Sequence, residues 1–482
     1  MQYLAGVDRN QSMLLPMTVE EYVSAENPVR AIDAFIEGLD VQALGFPLRE
    51  EKDAGAPGYH PRELLKLYLY GYLNRIRSSR ELEKATHRNL EVIWLVRQLK
   101  PDHWTISNFR KLHRERFRKV FREFALVCGR LGLFGADLVA IDSSHFKAVN
   151  SPKRNFTKAK VQALLQEVDE KTEAYLKDLE TADKDVPSQG SGGKDDAKSL
   201  REKLAQLESE RQRCSELMQA IEQSETGQIS QTDPDSRMLK KGDESVVGYN
   251  VQIAVDAQHH LIVAEQVTQE PNDWQMLSPM AAEAKEALGV DQLRVVADAG
   301  YCSHEQVSRC AALGVEANVP NEQHRVAGTG AYPRESFRYD AQADVCLCPQ
   351  GQTLHRHSDN TRRGLRHQVY YNVSACAKCP VRPDCTKGKY RKLQLAEGHE
   401  LFAAAQERWR TQPELRKQRR SLVEHPFGTL KFWWGMRAFL CRGLKSVQAE
   451  FSLAALAYNF RRALNVLGAR ELIAKLRPLP TS

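Results

Sequence analysis

Two apolar runs, LVAIDSSHFK and LRVVADAGYCS, each carry an aspartate where the apolar stretch closes, at Asp142 and Asp298. Four or five consecutive Val, Ile, Leu and Ala residues predict a strand buried on both faces, and hence a sheet covered by helices. A carboxylate at the end of such a strand emerges at the sheet edge, where α/β folds place their ligands. The plainer reading of either aspartate is a turn residue closing a strand.

A third carboxylate lies near the C-terminus, in RRSLVEHPFGTLK. At 3.6 residues per turn Arg420 and Glu424 share one helical face, and Lys431 returns to nearly the same face. Alone, this charged row reads as a solvated helix surface. Pro426 removes a backbone N–H, so a kink or restart of the helix is expected there. Taken with Asp142 and Asp298, Glu424 completes a set able to hold two hard cations, because Mg²⁺ prefers a few carboxylate oxygens and leaves positions for water and phosphate. Two such ions could activate a water or a 3′-hydroxyl and stabilise the leaving oxygen of a phosphodiester.

These residues resemble a known family, the bacterial insertion-sequence transposases of the DDE class, whose RNase H-like catalytic core is related to that of retroviral integrases. The resemblance runs from the N-terminal helical region through YHPRELLKLYLYGYL to QAEFSLAALAYNFRRAL. The family's terminal signature is Tyr, two residues, Arg, three residues, Glu, six residues, Lys; here Arg420, Glu424 and Lys431 match, and Lys417 stands at the Tyr position. The resemblance implies a metal-binding triad of Asp142, Asp298 and Glu424 holding Mg²⁺ or Mn²⁺. It implies that Arg420 and Lys431, with Lys417 beside them, contact DNA near the cleaved phosphate. The implied activity is recognition of terminal inverted repeats followed by strand cleavage and strand transfer. The implied partners are double-stranded DNA, as element ends and target, and further copies of the chain assembled on it. Two other readings stay open: a retired transposase that only binds DNA, and a metal-dependent nuclease without strand transfer.

With 482 residues and 42% hydrophobic content the chain can bury more than one core, and its length suggests about three domains. Lys plus Arg exceed Asp plus Glu by only 69 to 62, so attraction to DNA must come from local patches. The start, MQYLAGVDRN, lacks the pattern of a signal peptide, and no run of about 18 apolar residues occurs. The expectation is a bacterial cytoplasmic, nucleoid-associated protein with no membrane partner.

Five of the ten cysteines crowd between Cys346 and Cys385. The pattern CLCPQG, then CAKC, then Cys385 offers four thiolates, Cys348, Cys376, Cys379 and Cys385, for a structural Zn²⁺, with Cys346 spare or an alternative ligand. Reduced structural cysteines are the competing reading; the related transposases often carry a similar cluster. Cys128, Cys214, Cys302, Cys310 and Cys441 read as ordinary core or surface residues. Around the cluster, basic residues from Arg362 to Lys392 interleave with Tyr370, Tyr371 and Tyr390, a pattern suited to phosphates and unpaired bases or to a solvated loop.

The predicted fold is α/β: an RNase H-like mixed-sheet catalytic core with an N-terminal all-helical domain, an inserted helical hairpin and a Cys-rich insertion. Residues 1–135 read as helical and DNA-binding, in helices opening at Pro61, near Ser79 and at Leu90, then a long basic helix from Thr105 or Ser107 carrying Arg110, Lys111, Arg114, Arg116, Arg118 and Lys119. A bundle that only packs or dimerises is the alternative. The core begins over 136–157, is interrupted by a helical hairpin over 158–225 with the polar linker VPSQGSGGKDD, and continues over 226–330. Within it VGYNVQIAVD and LIVAEQVTQ read as a β-hairpin, and Asn272 or Asp273 as the cap of a helix from Trp274 to about Leu288. Asp256, Glu265 and Asp273 read as turn, surface and cap residues, and His145 as facing away from Asp142. Residues 331–395 form the Cys-rich basic insertion and 396–482 the helical end of the core, where Trp433, Trp434, Phe439, Leu453, Leu456 and Phe460 read as packing residues.

Overall fold

A computed structural model describes residues 18–48, 58–184, 193–224, 226–241, 244–320, 332, 336–362 and 365–477. The chain's first ten residues and most of the predicted linker lie outside them.

The N-terminal region is helical: α1 (Val29–Glu37), α2 (Pro61–Leu73), α3 (Ser79–Arg88), α4 (Leu90–Leu95), α5 (His103–Leu112) and α6 (Arg116–Arg130). Proline at its first position and a His60 side chain accepting from Arg62 N start α2, whose residues from Leu64 to Leu73 are all buried. A helix apolar all round must cross a protein interior. The long basic helix expected from Thr105 is instead two. Asp102 caps α5 by accepting from Thr105 N, and α5 ends at Leu112 before α6 begins.

The main sheet contains β1 (Leu138–Lys147) and, after the short β2 (Asn155–Thr157), the antiparallel helices α7 (Lys158–Lys184) and α8 (Gly193–Gln223) form the inserted hairpin. Its seam buries Val161, Val168, Leu207, Cys214 and Ile221. The chain returns through β3 (Gln228–Ser230), paired with β2, to β4 (Arg237–Lys241), β5 (Glu244–Asp256) and β6 (Ile262–Thr268). Then follow α9 (Leu277–Leu288), β7 (Leu293–Val296), α10 (His304–Ala312) and β8 (Val315–Asn318). β1 pairs antiparallel with β5 and parallel with β7, β7 pairs parallel with β8, and both β4 and β6 pair antiparallel with β5.

A second, five-stranded antiparallel sheet comprises β9 (Arg338–Asp340), β10 (Val345–Leu347), β11 (Thr353–Arg362), β12 (Leu365–Tyr371) and β13 (Leu393–Ala396). Two short helices, α11 (Val373–Ala377) and α12 (Arg382–Cys385), lie between β12 and β13. The chain closes with α13 (His399–Thr411), α14 (Pro413–Gly428), α15 (Leu444–Leu467) and α16 (Ala469–Leu476). Pro426 does not break α14, which runs on to Gly428 and opens into a π-helical turn over Thr429–Trp433. α15 is buried along most of its length and packs against α2, α6 and β6. The N-terminal helices and one face of the sheet therefore share a single hydrophobic core.

Of the C-terminal aromatics read as packing residues, Phe439 and Phe460 are buried, whereas Trp433 is 72% exposed. The π-helical turn rotates Trp433 and Phe432 outward while Leu430 takes the core position.

Candidate functional site

Asp142 is not the last residue of its strand. β1 continues to Lys147 because its pairing with β5 extends to Lys147↔Gly248, whereas its pairing with β7 ends at Ala140↔Val296. The carboxylate thus leaves the sheet where β1 loses its parallel neighbour. Asp298 follows β7 by two residues and caps the turn Ala299–Tyr301, its Oδ1 accepting from Gly300 N at 2.9 Å. Gly300 suits that turn, because a Cβ there would stand 3.0 Å from Asp298 Oδ1.

The two aspartates converge on one guanidinium. Arg419 Nη2 lies 2.9 Å from Asp142 Oδ1 and 3.3 Å from Asp298 Oδ2. Arg419 occupies the sheet-facing side of α14 with the buried Leu415, Leu422, Val423 and Phe427. Leu415, Leu422 and Val423 pack on Leu138, Ala140 and Val296 below it. Spacing alone singled out Arg420, one residue on. The signal for Arg419 was the helix phase, because a polar residue four after Leu415 and three before Leu422 must face inward.

Glu424 lies on the opposite flank of α14, 63% exposed, with Arg420 Nε 2.8 Å from its Oε1. Lys417 is exposed on the same helix. Lys431 turns back to the sheet and donates to Ser144 Oγ and His145 O, each at 2.6 Å, so it does not share Glu424's face.

Behind the aspartates lies a polar cluster that the sequence reading missed. Asp273 accepts from Ser143 Oγ (2.8 Å), Asn250 Nδ2 (2.8 Å) and Gln252 Nε2 (2.5 Å), and the buried Tyr301 hydroxyl donates to Gln252. Burial, reinforced by the nearby carboxylates of Asp273, Asp142 and Asp298, raises the Tyr301 hydroxyl well above the usual tyrosine range. Asp273 therefore ties β1, β5 and the Asp298 turn together rather than capping a helix. α9 starts at Leu277, without a side-chain cap.

Glu265, read as a surface residue, is fully buried. It accepts from Ser452 Oγ at 2.7 Å and Gln448 Nε2 at 2.6 Å of α15, with Arg118 Nε of α6 at 3.7 Å. Asp256 is also buried and accepts from the backbone N–H groups of Gly135 and Ala136, a loop-tying role close to the turn role expected.

The basic residues of α5 and α6 are largely engaged within the protein. Arg110 lies over the Tyr68 ring, Arg118 and Arg122 pair with Glu283 of α9, and Arg116 donates to Gly45 O. Trp104, Lys111 and Leu112 remain on the exposed face of α5.

In the second sheet Cys348, Cys376, Cys379 and Cys385 line one pocket together with Arg382 and Arg391. Cys348 Sγ accepts from Gln352 N at 3.3 Å, and burial holds the Cys385 thiol above its usual range, with the other three cysteines adding to the rise. Cys346 faces the sheet's own core beside Leu354 and Tyr370. Tyr370, expected on the basic surface, is buried and bonded to Asp344, whereas Tyr371 stacks on His357 at 3.7 Å and meets Tyr390.

Among the described residues no group of three or more His, Cys, Asp or Glu is arranged as a ready metal cage. Both candidate sets nevertheless have the chemistry for one. The aspartates place two oxygens against one cationic nitrogen, and the four thiols share one pocket with an N–H···S contact at its wall. No helix among the described residues is long and apolar enough to cross a membrane.

Residues 347–464 match a family model described as a transposase DDE domain, and residues 17–112 match one described as a transposase domain. A cryo-EM structure of the piggyBac transposase synaptic complex with hairpin DNA aligns with 95% of this chain and 83% of that chain. At 9% identity and a TM-score of 0.29 that likeness carries no argument. No curated protein matches the chain.

Proposed function

The chain belongs to the DDE-type insertion-sequence transposases, and on that premise we propose that it binds the ends of its element and catalyses metal-dependent strand cleavage and strand transfer. The observation that carries this reading is the convergence of Asp142 and Asp298, from adjacent parallel strands, on a single cationic group. Support for an RNase H-like core comes from the main sheet, in which β1, β4 and β6 pair antiparallel with β5, α9 follows, and β7 and β8, joined through α10, add in parallel beside β1, while α14 packs on the sheet from which the aspartates project.

Asp142 and Asp298 would supply the first carboxylate oxygens for Mg²⁺ or Mn²⁺, with Glu424 the third from the flank of α14. The bound ions would activate a water or a 3′-hydroxyl and neutralise the leaving oxygen. The network around Asp273 holds β1 and the Asp298 turn in fixed relation, so the two carboxylates would be offered to a metal from a rigid frame. On the outer surface of α14 Arg416, Lys417 and Arg420 offer exposed cations to phosphates. Glu424 pairs with Arg420, and taking up a metal would release that guanidinium for a phosphate.

The test is Mg²⁺-dependent cleavage and joining of labelled DNA carrying the element's own ends, comparing wild type with Asp142→Asn and Glu424→Gln. Both variants should bind the DNA and yield no product. Binding without wild-type cleavage points to a DNA-binding protein only, cuts without joined strands point to a nuclease, and full activity in Glu424→Gln removes Glu424 from the site.

A further inference from the structure

Arg419 belongs to neither the aspartate pair nor the spacing Arg, three residues, Glu, six residues, Lys. Its side chain is nonetheless only 19% exposed and bridges both aspartates from the buried face of α14. Its Nε is buried and has no hydrogen-bond partner among the described residues. The guanidinium is thus pulled onto two carboxylate oxygens at the expense of its Nε, although leaving a buried donor unmet is itself unfavourable. The attraction of the paired carboxylates outweighs that cost.

Asp142 Oδ1 also accepts from Ser143 N at 2.8 Å and Asp298 Oδ1 from Gly300 N at 2.9 Å, so the guanidinium fills the space between the two carboxylates that a divalent ion bridging them would share. A hard cation demands direct oxygen contact, and a guanidinium cannot donate to those lone pairs at the same time. Two positive groups within about 4 Å also repel. Asp273 cannot relieve the contest, because Ser143, Asn250 and Gln252 already occupy its oxygens.

Resting on the reading above, we propose that Arg419 is a positioning residue that keeps Asp142 and Asp298 converged and competes with divalent cations for their oxygens. Metal entry then requires the guanidinium to swing aside, which frees its donors for an oxyanion at the same edge of α14. A high threshold for metal in the absence of DNA is the functional consequence.

The test is Mn²⁺ affinity of the full-length protein, measured by calorimetry and by the loss of free-ion paramagnetic resonance signal, for wild type, Arg419→Gln, Arg419→Lys and Asp142→Asn. Arg419→Gln should bind Mn²⁺ about tenfold tighter, the equivalent of one partly buried ion pair. Arg419→Lys, which can engage only one carboxylate well, should fall between the two at about threefold tighter. It carries the test if the glutamine variant does not fold. In both variants Mg²⁺ should raise the melting temperature more than in wild type, a response that a merely structural arginine would not produce. Equal or weaker Mn²⁺ binding in the Arg419 variants overturns the proposal while leaving the metal site intact. Wild-type binding no stronger than that of Asp142→Asn overturns the proposal together with the two-aspartate metal site.

Discussion

Lys431 and Ser144 are joined by a 2.6 Å hydrogen bond that ties the π-helical turn after α14 to β1. Ser144 lies two residues beyond Asp142 on the same face of β1, and the Lys431 ammonium also sits 4.4 Å above the Phe146 ring. Lys431 thereby fastens the end of α14 to β1 just beyond Asp142. Lys431→Met keeps the aliphatic stem and removes the bonds, so it should lower stability by about 1–2 kcal/mol and reduce cleavage. Urea unfolding checks this. A variant as stable as wild type but weak in DNA binding would assign Lys431 to DNA instead.

Glu265 makes stability depend on pH. Burial raises its carboxyl to about 7, against the partial offset of Arg118, Ser452 and Gln448. A folded pKa above the unfolded value of 4.5 means that the contribution is fully present below about 4.5 and is lost as pH rises through about 7. The fold should therefore lose on the order of 3 kcal/mol between pH 5 and pH 8 from this group. Glu265→Gln should flatten that segment of the profile in denaturant melts at the two pH values; an unchanged slope would place the titration elsewhere.

What was legible in the chain was local. The β5–β6 hairpin and the α7–α8 pair follow from periodicity and turn residues within one stretch, and the structure has both. What was not legible depends on partners far away in sequence. Glu265 sits in a strand whose pattern allows a solvated face, and it is buried because Ser452, 187 residues on, covers it. Asp142 reads as a strand end because its apolar run stops there, yet β5 extends the ladder five residues further. Asp273 resembles a helix cap because it precedes a helix, and only the approach of β1 and β5 turns it into the hub behind the aspartates. Arg419 is the exception, because its inward phase was available in the spacing of Leu415, Leu422 and Val423.

The cations of α6 that are engaged within the protein allow folding to be tested apart from the proposed DNA contact. Arg118 joins Glu283 at 2.8 Å and donates to Glu265 O, linking α6 to α9 and β6. Arg118→Ala strands Glu265 in the interior, so it should cost about 3 kcal/mol while DNA affinity per folded molecule stays unchanged. The outer face of α5 should behave in the opposite way. Trp104→Ala with Lys111→Ala should weaken binding to element ends roughly tenfold with no loss of stability. Anisotropy titrations alongside thermal melts distinguish the two, and a reversed pattern would move the DNA surface off α5.

The four-cysteine pocket is built from three separate elements of the second sheet region. Cys376 opens a turn in which Cys379 N bonds to Cys376 O, and Cys348 and Cys385 complete the lining from β10's end and α12. Around it the second sheet has a small core of Cys346, Leu354, Tyr370, Leu393 and Leu395, with Phe337 and Tyr339 packed against it. The four thiols lining that pocket, once deprotonated, would bind one Zn²⁺ and add stability, because metal affinity at such sites is folding free energy. Elemental analysis of the purified protein should find one zinc per chain, reduced by chelation or by Cys376→Ser with Cys379→Ser. Loss of the metal should expose the bonds around Tyr371 and Lys392 to protease while the main sheet stays folded. A zinc-free protein whose second sheet resists protease as well as before would leave these cysteines as ordinary reduced thiols.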